Sequence, residues 1–382
     1  MNILFLTTIH LTKNCNGGEV ASQWFIDAIK NLGHQVTVVG YLRQGDKLKD
    51  IQARFIVDER YTETRKSKIS AVIWLLYSLW KNLPYSSAKY YSQKYVNLVK
   101  KLIKQEKYDI IIIDHAQLSW LRDFLKADSI VAIAHNIEHE MYEEISAKSQ
   151  NSLAKLIYKR EALLIKAQEN SLVDAVDQIW TLTDYDSKYF SRLGSSSIVT
   201  LGITPSLTTL QPKQVNKSFD IGLLGSWSWK ANIEALQWFL QAVYPYLPTN
   251  ISIHIAGKGG DWLNNKYSNI TYRGVVPDAQ EFMTQAKVVA IPTLSGSGIQ
   301  IKTLDAITSG SFVVATPVAL RGISQLPSTV EIAADAEEFA KLLTSKVMSL
   351  QANFDEAKNW YYQRHQKFLN DIACAFGEIS YK

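Results

Sequence analysis

A chain of 382 residues, 47% hydrophobic and 20% charged, exceeds one ordinary core and suits a globular protein of two domains of roughly 150–200 residues each. Its formal charge of +5 is mild, and its two cysteines, Cys15 and Cys374, stand at opposite ends, which excludes a disulfide framework or zinc signature and points to a reducing cytoplasm. No segment approaches the ~20 apolar residues of a membrane span, and no helix-turn-helix, zinc-finger or RNA-recognition pattern speaks for nucleic acid as a partner.

In chain order, the apolar run at 3–9 follows Met1-Asn2 without a basic leader and reads as a first strand, not a signal peptide. A polar loop over 10–18 ends in Gly17-Gly18. Helical spacing follows over 20–32, Gly33 stops it, and QVTVV at 35–39 is a second strand. This βαβ opening puts glycines at the carboxyl end of a parallel strand, where open sheets bind ligands, although G-x-G-x-x-G is missing. Residues 65–104 are basic around an apolar stretch with Trp74, Tyr77 and Trp80. Such a helix can lie on an anionic membrane surface; the preferred reading is that its apolar side closes the first domain.

The buried-strand runs YDIIIID at 108–114 and SIVAIA at 129–134 follow, and the second opens onto His135-Asn136-Ile137-Glu138-His139-Glu140. A long helix is predicted over 153–172 and a strand over 178–182. Asp184-x-Asp186 reads as a helix N-terminus rather than a metal motif, so no metal ligand is assigned. Residues 204–218, with Pro205 and Pro212, form the expected linker between a first domain at 1–203 and a second at 219–353. The second domain repeats the order of strand, glycine loop and helix at 220–243, and the loop holds Ser226, Trp227, Trp229 and Lys230. Core packing is preferred over sugar stacking for the two tryptophans. Strands alternate with helices in both halves, so the fold class is α/β, with two doubly wound Rossmann-like domains facing a cleft. A last long helix occupies 354–382.

The stretch at 292–310, P-T-L-S-G-S-G-I-Q-I-K-T-L-D-A-I-T-S-G, lies between the strand runs KVVAI and SFVVA. Gly296-Ser297-Gly298 lets backbone approach a ligand, Ser297 is placed to cap a helix starting near Ile299, and Gly310 suits a left-handed C-terminal cap. Lys302 and Asp305 lie three apart on one helix face, away from Ile301, Leu304 and Ile307. A cation beside an N–H-rich helix start suits a phosphate, and a carboxylate one turn on suits a ribose diol. An exposed helix with an ordinary Lys302–Asp305 ion pair fits the same spacing.

This stretch resembles the nucleotide-binding segment of family 4 glycosyltransferases of the GT-B fold, in which Glu, seven residues and Glu precede Ala-x-x-x-Gly. Asp305 falls at the second Glu and Ser297 at the first. G-S-G-I-x-I-K-x-L-D/E-A is similar to a subgroup that lacks the first Glu and carries a lysine inside the motif. The resemblance spans nearly the whole chain. It implies a retaining, hexosyltransferase-like, metal-independent enzyme that moves a sugar from a nucleotide-sugar donor, with no cofactor, to a glycan or lipid-linked acceptor. The context it implies is polysaccharide or glycoconjugate assembly; the cytoplasmic setting is the expectation from the cysteines, and peripheral membrane contact through 65–104 is the alternative reading of the basic stretch.

By the same resemblance, His135 orients the donor sugar, Lys302 meets the diphosphate and Asp305 holds the ribose. Gly17, Gly18, Gly296, Ser297, Gly298 and Ile299 line the donor, and the base is read near Val275. Ser226 stands where the family commonly has an arginine, and Lys230 lies near its second phosphate-binding position. The last helix crosses back to the first domain. A non-catalytic GT-B partner subunit and a nucleotide-sugar epimerase on the same fold are the alternatives.

Overall fold

The computed structural model describes residues 1–12, 16–48, 52–64, 66–125, 127–194, 196–205, 216–349 and 354–380. Cys15, Arg65 and residues 206–215 of the expected linker lie outside them. The chain divides into two compact units, residues 1–203 with 368–382, and residues 204–367.

The first unit contains β1 (Asn2–Ile9), α1 (Gly17–Asn31), β2 (Gln35–Arg43), β3 (Arg54–Arg60), α2 (Lys68–Trp80), α3 (Tyr85–Ala88) and α4 (Gln93–Gln105). It continues through β4 (Ile110–Asp114), β5 (Ile130–Ala134), α5 (Glu138–Lys148), α6 (Ser152–Ala175), β6 (Gln178–Thr181), α7 (Asp184–Phe190) and β7 (Ser197–Thr200). Its seven strands are all parallel in the order β3-β2-β1-β4-β5-β6-β7. Parallel sheets are covered on both faces, which is why β4 and β5 read as unbroken apolar runs and are buried throughout.

The second unit contains β8 (Phe219–Leu224), α8 (Lys230–Trp238), β9 (Ile253–Ala256), β10 (Ile270–Tyr272), α9 (Ala279–Gln285) and β11 (Ala286–Ile291). After these come α10 (Ile301–Thr308), β12 (Phe312–Ala315), β13 (Val330–Ile332) and α11 (Ala336–Met348); of the last helix, α12 (Phe354–Ser380), residues up to 367 belong to the second unit and those from 368 to the first. Its six strands are also parallel, in the order β10-β9-β8-β11-β12-β13. Each unit has its own apolar core. The strand order reverses between β1 and β4 in the first sheet and between β8 and β11 in the second. Loops at the carboxyl ends of those strands form the crevices where doubly wound sheets bind ligands.

Two helix starts differ from expectation. Gly17 and Gly18 are the first residues of α1 rather than loop, because Asn16 and Glu19 form a reciprocal capping box that satisfies the first-turn N–H groups. The helix expected from Ile299 begins at Ile301; Gln300 is its N-cap, and no side chain caps it, so Ser297 does not take that role. Thr183, not either aspartate, caps α7, and Asp184 and Asp186 occupy the first turn. The apolar side of α2 does not close the unit: Trp74 and Ser78 are buried and Tyr77 is half-buried against Tyr91, but the large aliphatic residues and Trp80 face outward.

Candidate functional site

The second unit gathers most of the predicted residues at its strand-order reversal. The loop after β8 is pinned from below: buried Trp227 donates Nε1–H to the Ala256 carbonyl at 3.0 Å, and its own N–H reaches the Lys258 carbonyl at 2.8 Å. Gly257 has φ +118°, and a Cβ there would collide with the Gly225 carbonyl, so the two glycine loops close on each other only because Gly257 carries no side chain. Trp227 is thus core, as preferred, whereas Trp229 is 56% exposed. Ser226 and Lys230 are exposed at the loop's surface. The Lys230 ammonium is 3.8 Å from Glu234.

The loop after β11 turns through Gly296 at φ +127° and Gly298 at φ +70°, conformations that L side chains rarely adopt. Arg321 braces it by donating Nη1–H to the Gly296 carbonyl at 2.9 Å. Gly298 is buried, and Ser297 and Ile299 are half-buried. In the helix that follows, Leu304 and Ile307 are fully buried against the core. Lys302 and Asp305 are half-buried on another side and, among the described residues, form no ion pair with each other.

Lys302 donates instead to Asn232 Oδ1 at 3.0 Å, and Asn232 Nδ2 donates to the Ser226 carbonyl at 3.1 Å. One amide therefore ties the lysine to the neighbouring glycine loop. Lys302 thus stands at an uncapped helix start without a carboxylate partner among the described residues, and burial lowers its pKa to about 8. The Asp305 carboxyl has no hydrogen-bond partner among the described residues; burial, and secondarily the charge of Asp278, raise its pKa to about 7. Val275 is 73% exposed on the loop after the edge strand β10.

The first unit builds a separate polar cluster where β4 and β5 end. Asp114 is fully buried and accepts from Thr7 Oγ1 and from His135 Nε2, each at 2.7 Å. His115 Nε2 is 3.5 Å from the same carboxylate and 3.2 Å from Ser22 Oγ on α1. The two imidazoles stack with centroids 3.9 Å apart. His115 has φ +76°, a strained conformation for a non-glycine residue. A Cβ on Gly18 would come within 3.1 Å of the His115 ring, so this glycine is small because an imidazole lies against it.

Despite the cost of burial, the two imidazoles and their hydrogen bonds hold Asp114 down to about 2. Burial first lowers His115 to about 4. Because ionised Asp114 only accepts, His135 carries its proton on Nε2 when neutral, leaving Nδ1 as an acceptor. Ligand-type atoms of Asp114, His115 and His135 lie within 4.8 Å of one another, a spacing compatible with a metal ion. Sequence reasoning missed Asp114 and His115, although they follow an apolar strand just as His135 does. Glu138 and His139 are instead structural: Glu169 of α6 accepts from both backbone N–H groups and from His139 Nδ1 at 2.6 Å, standing in for an absent cap on α5.

Residues 218–347 match the family model of glycosyl transferases group 1. No curated protein sequence matches the chain. Among solved structures, the chain is similar to an E. coli trehalose-6-phosphate protein bound with UDP-2-fluoro glucose (13% identity, 99% of each chain, TM-score 0.62). It is also similar to a mutant of S. aureus TarM in complex with fondaparinux, alpha-GlcNAc-glycerol and UDP (10% identity, 99% of each chain, TM-score 0.61). A third is the pneumococcal O-GlcNAc transferase GtfA in complex with UDP and GlcNAc (13% identity, 100% of this chain and 99% of that one, TM-score 0.61). At these identities the likeness shows the fold: two parallel-sheet, Rossmann-like units of the GT-B glycosyltransferase architecture.

Proposed function

We propose that this chain is a nucleotide-sugar glycosyltransferase of the family 4 type, moving a hexose to an acceptor hydroxyl with retention and without a metal. The observation that carries the reading is Lys302: a half-buried cation with no carboxylate partner among the described residues, held by Asn232 between two glycine loops at an uncapped helix start. Backbone N–H groups and an ammonium at one point stabilise the charge that develops on a departing diphosphate. The match of residues 218–347 to glycosyl transferases group 1 covers this same region.

Asp305 accepts from the ribose hydroxyls, and Gly296, Ser297, Gly298 and Ile299 line the phosphates. Ser226, Lys230 and Val275 contribute at the rim. In the first unit His135, held by Asp114, presents Nδ1 to a sugar hydroxyl, and Gly17 and Gly18, the latter against the His115 ring, give the donor close approach to backbone. The UDP in three of the similar structures makes a uridine diphosphate sugar the first donor to try. The acceptor is a glycan or lipid-linked hydroxyl handled in the cytoplasm during polysaccharide or glycoconjugate assembly.

A thermal-shift screen of nucleotide sugars tests the reading, because a ligand that binds only the native state raises its melting temperature by mass action. Nucleoside diphosphate release with the best donor and a glycan or lipid acceptor should then follow, and should collapse in Lys302→Ala. Binding without turnover would favour a non-catalytic subunit, the reading that Ser297 in place of an acid supports. Sugar conversion without an acceptor would indicate an epimerase.

A further inference from the structure

The geometry points to a membrane-docking surface on the first unit, made by the outward arc of α2, whose occupant is an anionic lipid bilayer. The inference stands apart from the glycosyl-transfer reading, because vesicle binding is measured without turnover. On α2, Ile69, Val72, Ile73, Leu76, Leu79 and Trp80 are all exposed, Ile69 by 77% and Trp80 by 72%. At 100° per residue they fill the arc opposite Trp74 and Ser78, which face inward. A helix presenting its apolar arc outward leaves a patch of a kind rare on monomeric proteins.

The inward face of α2 is held to α6, where the Arg160 guanidinium donates to Ser78, to Oγ at 3.1 Å and to the carbonyl at 3.2 Å. Ser78 lies opposite the apolar arc, so this clamp keeps the arc on the outer side of α2. Ser78 Oγ in turn donates to the Leu83 carbonyl at 2.7 Å, and Glu161 accepts from the N–H groups of Tyr85 and Ser86, which fixes the end of α2 to α6.

Charge decides the occupant. Residues 66–105 contain no aspartate or glutamate. Lys68 and Lys81 are exposed at the two ends of the helix. Lys81 sits over the exposed Trp80 ring at 4.1 Å, pairing a cation with an aromatic where lipid headgroups meet acyl chains. A second copy of this chain would set lysines against lysines. Apolar side chains flanked by cations match a surface whose interior is apolar and whose headgroups are negative.

Co-sedimentation of the full chain with phosphatidylcholine vesicles, with and without phosphatidylglycerol, tests this. Binding is expected with phosphatidylglycerol and not without it, weakening as salt rises. Leu76→Asp and Leu79→Asp, both on α2, should each reduce binding about tenfold or more, with melting temperature unchanged because both positions are exposed. Failure of the wild type to bind anionic vesicles overturns the inference, as does full binding by either variant or equal binding to neutral vesicles. A dimer in light scattering that Leu76→Asp dissociates, without vesicle binding, overturns it in favour of a second copy.

Discussion

If Lys302 meets the donor diphosphate and Asp305 the ribose, donor affinity should be a narrow bell in pH, and each limb should belong to one residue. Asp305 must be ionised to accept from both hydroxyls, and burial has raised its pKa to about 7. Lys302 must be protonated to donate, and burial has lowered its pKa to about 8. The competent form, ionised Asp305 with protonated Lys302, is therefore most populated between those values. Affinity should fall about tenfold per pH unit below 7 and again above 8. A free nucleoside diphosphate would blur the acid limb, since its terminal phosphate titrates near about 6. An intact nucleotide sugar has no such group and is the ligand of choice for calorimetry. Asp305→Asn should flatten only the acid limb. Lys302→Ala should flatten only the alkaline limb and weaken binding about ten- to a hundredfold at neutral pH, the value of one charge-assisted hydrogen bond. A wild-type profile that is flat between about pH 6 and pH 9, or a limb that survives loss of its residue, would refute the assignment.

His135→Ala should lower kcat about a hundredfold while leaving donor affinity within about twofold; steady-state kinetics beside calorimetry separate the two, and unchanged kcat removes the residue from the chemistry. Asp114→Asn should cost the first unit stability, since the carboxyl falls from 3.8 to about 2 on folding, a contribution on the order of 2 kcal/mol. The sign follows from the depressed pKa: the contribution is complete above pH 3.8 and is lost as pH falls through about 2, so urea melts of wild type and variant should differ at pH 7 and converge in strong acid. Gly257→Ala places a Cβ on the Gly225 carbonyl at a left-handed φ; a loss of about 3 kcal/mol or more is expected in thermal unfolding of the second unit, and a wild-type melt would mean the two glycine loops are not in contact.

The parallel strands were legible because burial on both faces demands unbroken apolar runs, as in β4, β5 and β11. The glycine turn at 296–298 and the helix stop at Gly310, with φ +71°, were legible because only glycine adopts those backbone angles readily. Misreadings arose where local signals competed. Gly17-Gly18 has poor helix propensity, yet the Asn16–Glu19 capping box outweighs it, and that N-x-x-E pattern was there to be read. The α2 stretch is so apolar that composition alone suggested burial; which arc turns inward depends on Arg160, 82 residues away from Ser78. The pairing of His135 with Asp114 needed the adjacency of β4 and β5, a tertiary fact.

The departures from the family pattern are better understood together than singly. Ser226 removes a positive charge relative to the arginine of the resemblance, and Ser297 removes a negative one relative to its first glutamate, so the two losses cancel. The structure brings charges of both signs to the same two loops. Lys302 reaches toward the Ser226 loop through Asn232. Glu234 on α8 accepts from Ser295 Oγ at 3.5 Å, bringing a carboxylate beside the loop that holds Ser297. If electrostatics rather than side-chain identity is what such a site must preserve, Glu234→Gln should weaken donor turnover although no sequence motif contains it, and a variant with unaltered turnover would leave Ser297 as a true loss.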